Sequence, residues 1–212
     1  MRVLTMMLML FMAATACAQE SGEQPQFVAG EHYDELSSPV YTFSPGKIEV
    51  TEFFWYGCGH CYTFEPLINA WSASKPADVA LVKSPAMWNG NMQVHAKIFY
   101  TAKALKVFDQ VHPAIFDAMH KENKKLLKID EIEPYFIAAG VDAEKFRKTF
   151  DSFGVKSQVQ QADARARGAK ISGTPELIVD GRYLVSGSKA GGQTGMLQVV
   201  NFLIEKIRQE NQ

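Results

Sequence analysis

The sequence predicts an α/β fold in which a block of helices interrupts an alternation of strands and helices. Three observations predict it. An apolar run ending Phe53-Phe54-Trp55-Tyr56 passes through Gly57 into a segment with helical spacing. From Asn91 to about Phe153 only helical patterns occur. Two short apolar runs then flank Asp180-Gly181, and an amphipathic tail follows.

Taken in order, Ser21 to Pro25 reads as loose, Val40 to Phe43 as a short edge strand, and Ser44-Pro45-Gly46 as a turn. Lys47 to Tyr56 is the central strand, rich in β-branched and aromatic residues that suit a buried pleated surface. The helix after Cys61 carries Pro66, which is expected to kink it. Val79 to Lys83 is the next strand, and the crossover between the two favours a parallel pair. Four apolar stripes follow. Val94, Ile98, Ala102 and Leu105 form the first; Val111, Ile115, Phe116 and Met119 the second. Ile132, Tyr135, Phe136 and Ala139 form the third, ended by Gly140, and Asp142 caps the fourth, with Phe146 and Phe150. Val155, Val159, Ala162, Ala166 and Ala169 mark a helix returning to the sheet. The hairpin at Asp180-Gly181 and a last helix from Gln193 to Arg208 complete the chain.

The chemistry concentrates in Cys58-Gly59-His60-Cys61. A pair at the head of a helix meets free N–H groups and the positive end of the macrodipole. A thiolate on Cys58 is stabilised there, and protonated His60 would add a positive charge. Stabilising the thiolate favours the reduced pair and makes its disulfide the stronger oxidant. Two plainer readings exist. A zinc site needs a second pair of ligands, and the chain has three cysteines in all, the third being Cys17 near the start. A purely structural bridge over so short a loop removes little chain entropy.

Met1 to Ala18 has one early positive charge, an apolar core and small residues at its end, the pattern of a secretory signal peptide. Cleavage after Ala18 would release a soluble protein starting at Gln19; cleavage before Cys17 would leave a lipidated cysteine. Export implies an oxidising compartment, where a disulfide persists. The net charge of −1, from 22 Lys and Arg against 23 Asp and Glu, gives no sign of nucleic-acid binding.

The order of elements resembles the DsbA family of periplasmic thiol:disulfide oxidoreductases. So do Glu52-Phe53-Phe54 ahead of Cys58-Gly59-His60-Cys61, the helical insertion, and Gly173-Thr174-Pro175 before a hairpin. The resemblance runs from about Tyr33 to the last helix. It implies a thioredoxin-like fold with an all-helical domain inserted: residues 27–90 and 155–212 as the thioredoxin-like domain, 91–154 as the insertion, and 1–18 as the signal peptide. It implies that Cys58 is the exposed nucleophile, Cys61 its buried partner, and His60 a stabiliser of the thiolate. Pro175 would be cis, with Thr174 and Pro175 pairing against an extended client. An acid matching Glu52 would lie beneath the disulfide near Lys83, whereas the sequence alone favours Glu52 facing solvent. Glu65 would act similarly from further away, and His32, His95, His112 and His120 read as surface or core residues.

The implied activity is donation of the Cys58–Cys61 disulfide to unfolded exported proteins with free thiols. Reoxidation would come from a membrane quinone reductase of the DsbB type. The protein would be a periplasmic monomer without metal, organic cofactor or nucleic-acid partner. Two residues depart from the best-known pattern: Gly59 stands where a proline is usual, and Thr174 where many members have valine. Both point toward the alternative of a disulfide isomerase or reductase using the same cysteines. That alternative usually needs an N-terminal dimerisation domain, for which few residues precede the first strand. A non-catalytic client-binding module is the third reading.

Overall fold

The computed structural model describes residues 27–212. The expected signal peptide, Cys17 and the stretch from Ser21 to Pro25 lie outside the described residues. The elements are β1 (Asp34–Glu35), β2 (Ile48–Phe54), α1 (Gly59–Ser74), β3 (Val79–Pro85), α2 (Gly90–Ala104) and α3 (Phe108–His120). They continue with α4 (Ile129–Ala138), α5 (Ala143–Phe150), α6 (Phe153–Gly168), β4 (Glu176–Val179), β5 (Tyr183–Ser186) and α7 (Gln193–Glu210).

The five strands form one mixed sheet in the order β1-β5-β4-β2-β3. β2 and β3 run parallel, joined by α1, and Glu52 stands opposite Lys83 in the register. β4 is antiparallel to β2, β5 to β4, and β1 to β5. All seven residues of β2 are buried, as its central place requires. On one face Ile48, Val50, Leu177, Val179 and Val185 pack against Phe64 and Ile68 of α1 and Met196, Val199, Val200, Leu203 and Ile207 of α7. Each such side chain contributes roughly 1.5–3 kcal/mol by leaving water. On the other face Phe53 and Ile178 meet Ala166 of α6, with Ala169 and Ile171 just beyond it.

The helical block packs separately, around Phe99, Phe116, Phe136 and Phe146, and reaches the sheet through Phe54 and Tyr56. The capping residues follow the sequence logic. Asp142 accepts the Lys145 N–H at 2.9 Å, and Ser152 caps α6 by accepting the Val155 N–H at 3.3 Å. Gly140 has φ +83° just past α4. Helix α1 runs through Pro66 without losing its helical assignment.

The hairpin turns as its residues require. Asp180 and Gly181 both have positive φ (53° and 67°), and the Arg182 N–H donates to the Val179 carbonyl at 3.0 Å. A Cβ on Gly181 would lie 2.2 Å from the Val40 carbonyl oxygen, so glycine is needed for space as well as for φ.

Val40 to Phe43 is not a strand, contrary to expectation; the edge strand is Asp34–Glu35 instead. Pro39 supplies no N–H, and Val40 makes one bond to the Gly181 carbonyl, at 2.8 Å. The Phe43 N–H goes to the Glu49 carboxylate at 2.6 Å rather than to a ladder. The next strand also runs further than the pattern suggested, through Ser84 and Pro85.

Candidate active site

Cys58 is the N-cap of α1, one position outside the first turn in which the spacing placed it. Its extended backbone (φ −87°, ψ 114°) turns the sulfur back over the helix end, where it accepts the Cys61 N–H at 3.2 Å. The Cys58 thiol also reaches across to β4's approach, donating to the Thr174 carbonyl at 3.2 Å. The Thr174–Pro175 peptide is cis. Cys58 is partly exposed and Cys61 is fully buried.

These surroundings split the two thiols. Hydrogen bonding from the Cys61 thiol is the largest influence on Cys58. With the Thr174 side chain and the N–H groups of Cys61 and His60, it outweighs burial and lowers the Cys58 pKa from 9.0 to about 5. Burial pushes Cys61 the other way, far above the ordinary thiol range, and the neighbouring Cys58 sulfur adds to the rise. At neutral pH the pair therefore holds one thiolate and one thiol.

Beneath the pair lies a polar network drawn from several elements. Glu52, at the centre of β2, is fully buried, so it does not face solvent as its sequence neighbourhood suggested. Lys83 of β3 donates to Glu52 Oε2 at 2.5 Å and to Glu65 Oε1 of α1 at 2.7 Å. His112 of α3 places Nε2 3.4 Å from Glu65 Oε1, and its Nδ1 shares a 2.7 Å hydrogen bond with the Tyr56 hydroxyl. Burial raises the Glu52 pKa against the pull of Lys83, and the charges on Glu65 and Cys58 raise it further. Glu65 goes the opposite way: although burial works against its charge, His112 and Lys83 hold it down at about 2. Burial also opposes the Lys83 charge, yet the two carboxylates raise its pKa. Glu65 and Lys83 thus hold their charges, and Glu52 is the carboxyl of the network whose pKa is raised. Its Oε1 has no hydrogen-bond partner.

His60 is exposed. Its carbonyl accepts from Gln193 Nε2 at 2.6 Å and from the Thr63 hydroxyl at 3.0 Å, tying the turn to the start of α7. His60, Gly173, Thr174, Pro175, Gln193 and Met196 line a cleft of about 350 Å³ beside the sulfur. The sequence reading did not single out His112 or Tyr56 for this site. They come from separate elements, and only the unusual burial of a histidine, visible in the fold, marks them. His120, which reads from the sequence as a surface or core residue, donates from Nε2 to the Tyr56 carbonyl at 2.7 Å and stacks its ring on Tyr62. Among the described residues no group of three or more His, Cys, Asp or Glu comes together that could hold a metal ion.

One sulfur ionised at neutral pH, set against a second that is not, at the head of one helix on such a sheet, defines a thiol:disulfide oxidoreductase of thioredoxin-like fold. Comparison with known proteins agrees. A family model described as a DSBA-like thioredoxin domain matches residues 71–193. The thiol:disulfide interchange protein DsbA of Pseudomonas aeruginosa is 44% identical over 188 residues, covering 89% of each chain. That of Azotobacter vinelandii is 45% identical over 179 residues, covering 84% of each. Among solved structures, Pseudomonas aeruginosa DsbA superposes with a TM-score of 0.83 at 44% identity, over 87% of this chain and 96% of that one. The oxidoreductase DsbA from Xylella fastidiosa gives 0.81 at 32% identity, over 88% and 100%. The chain belongs to the DsbA family. It is a protein-disulfide oxidoreductase that donates disulfides to other proteins.

Proposed function

We propose that Cys58 is the nucleophile and Cys61 the resolving partner of this reaction. A client thiolate attacks the Cys58 sulfur of the oxidised pair; the Cys58–Cys61 bond breaks and Cys61 leaves with the electron pair. Because Cys61 is the sulfur that resists ionisation, it takes a proton as it leaves, and Glu52 beneath it supplies that proton through the buried network. A second client thiolate then attacks the client's own sulfur in the mixed disulfide, and Cys58 departs as a stable thiolate. Two electrons have moved from the client to the pair. The observation that carries this reading is the set of donors gathered on the Cys58 sulfur, which make it the better leaving group in the second step.

Thr174 and Pro175 form the wall against which an extended client segment pairs. His60 acts at the mouth of the site: its N–H faces the thiolate, and its imidazole, when protonated, adds positive charge there. Residues 27–90 and 155–212 act as the redox domain and 91–154 as a helical cover. The clients are exported proteins with free thiols in the periplasm. The reduced pair is returned to the disulfide by a membrane quinone reductase of the DsbB type.

Trapping tests these roles. Cys61→Ser whose Cys58 has first been loaded as its mixed disulfide with glutathione is expected to lose glutathione to an unfolded client carrying a single thiol and to accumulate a Cys58–client mixed disulfide, resolved on a non-reducing gel. Cys58→Ser is expected to accumulate none and to lose oxidase activity. A trapped adduct on Cys61 instead would reverse the assignment. The isomerase reading is favoured by two features, the Gly59-His60 pair and Thr174 before the proline. Efficient rescue of a scrambled-disulfide protein in reducing buffer would support it over oxidation.

A further inference from the structure

α2, α6 and β3 enclose a cavity of about 570 Å³, within the range of small-ligand pockets. Its charge is unbalanced. Arg165 of α6 lines it with a side chain only 8% exposed, and its Nε and Nη1 have no hydrogen-bond acceptor. The nearest acid is Glu49 of β2, whose Oε1 lies 3.8 Å from Nη1, beyond hydrogen-bond distance. Glu49 is otherwise engaged, accepting the Thr51 hydroxyl at 2.7 Å and the Phe43 N–H at 2.6 Å.

Lys103 of α2 stands at the same cavity and has no acidic partner among the described residues. Lys83 also lines it, but its ammonium is committed to Glu52 and Glu65. None of the lining residues is acidic. The guanidinium is hydrogen-bonded to Tyr100, but its two nitrogens without acceptors cost free energy that an incoming anion would recover. The start of α6, at Ser152 and Val155, adds the favourable end of a helix dipole. The remaining wall mixes apolar side chains with polar Ser44, Tyr100, Ser152, Gln158 and Gln161.

We propose that this cavity is a binding site for a small organic carboxylate. The carboxylate accepts from the unpartnered N–H groups of Arg165 and from Lys103, and its hydrocarbon part lies against Phe43, Val82 and Ala162. An organic acid also covers the apolar part of the wall, Phe43, Val82, Ala104 and Ala162, which a bare inorganic anion would leave unused. Lysine and arginine together set the charge, and burial of the guanidinium sets the affinity.

The test is a titration of the full folded protein with benzoate at low ionic strength, followed by amide resonances. Benzyl alcohol serves as the neutral isostere and inorganic phosphate as the simple anion. Benzoate is expected to give saturable shifts at Val82, Ala104, Val155 and Ala162 at millimolar concentration. Arg165→Gln is expected to abolish them. Lys103→Gln, a surface change that leaves the fold and disulfide exchange intact, is expected to weaken binding about tenfold, the loss of one charge-assisted contact. Three results would each overturn the proposal: no saturation by benzoate, benzyl alcohol binding as well as benzoate, or full affinity retained in Lys103→Gln. Phosphate binding as tightly as benzoate would overturn the choice of an organic acid.

Discussion

The split between the two sulfurs fixes how the reduction potential must vary with pH. A Cys58 pKa of about 5 in the folded dithiol, against 9.0 for an ordinary thiol, is a depressed value. Its contribution to the reduced form is fully present above 9.0, shrinks as pH falls, and is gone once pH has dropped through 5. Near neutral pH, two units above that pKa, it amounts to about 2.7 kcal/mol at 1.36 kcal/mol per unit. Cys58 is partly open to water, so screening roughly halves this, to about 1.4 kcal/mol, or about 30 mV for a two-electron couple. The slope is the sharper readout. Above pH 5 the disulfide takes up one proton on reduction, because Cys58 stays ionised and Cys61 does not, giving about 30 mV per pH unit; below it two protons are taken up and the slope doubles. Glutathione redox titrations across the acid and neutral range, with far-ultraviolet thiolate absorbance of the reduced protein recorded in parallel, should show the break and the thiolate midpoint at the same pH. A single steep slope through neutrality, with no thiolate signal there, would refute the reasoning.

Three further outcomes follow from the same geometry. Cys61→Ala removes the strongest influence lowering Cys58, a hydrogen bond to a charged group of roughly 1.5–3 kcal/mol, so the Cys58 midpoint should rise by about 1–2 pH units in the same absorbance assay. Lys83→Met strips the buried Glu52 of its partner and should cost about 3–5 kcal/mol in urea unfolding at neutral pH. Because burial raises the Glu52 pKa, that loss should shrink in acid as the carboxyl takes up its proton; a constant loss would contradict the pairing. Gly59→Pro should stabilise the protein by about 0.4–1 kcal/mol with the Cys58 titration nearly unmoved. Gly59 is the first helical residue, a Cβ there meets no atom within 4 Å, and the N–H groups holding the sulfur belong to Cys61 and His60.

What the sequence conveyed was what local pattern encodes. The α7 stripe, the Asp180-Gly181 turn and the Asp142 cap each follow from a few neighbouring residues, and each is present in the fold. The cysteines' place at a strand-to-helix junction was legible for the same reason. Their electrostatics was legible in sign only. The expectation leaned on the helix dipole and the His60 ring, whereas the strongest hydrogen bonds that lower Cys58 come from the Cys61 thiol and the Thr174 side chain, the latter more than a hundred residues away in sequence. The failed edge strand at Val40 to Phe43 has a similar cause. Its β-like residues carried the prediction, but the acceptor that takes the Phe43 N–H is the side chain of Glu49, brought there only by folding. Glu52 was misjudged by its neighbours because the charge that accompanies it, Lys83, becomes adjacent only when β2 and β3 pair in register.

That pairing also separates function from stability at the centre of the sheet. Val50 and Phe54, the residues two before and two after Glu52, are fully buried and apolar, as a central strand demands. Between them stands a carboxyl with one oxygen on Lys83 and the other on nothing. A partly satisfied buried acid is worse for the fold than the valine or leucine that would fit the pattern. Lys83 offsets part of that cost, paired to both Glu52 and Glu65. The charge on Cys58 itself raises the Glu52 pKa, so a proton bound at Glu52 and a negative charge at Cys58 favour each other. In the proposed mechanism the acid hands its proton to Cys61 in the first step and takes one back once Cys58 has left as a thiolate, which would make a destabilising residue beneath the cysteines consistent with their chemistry and not with packing alone.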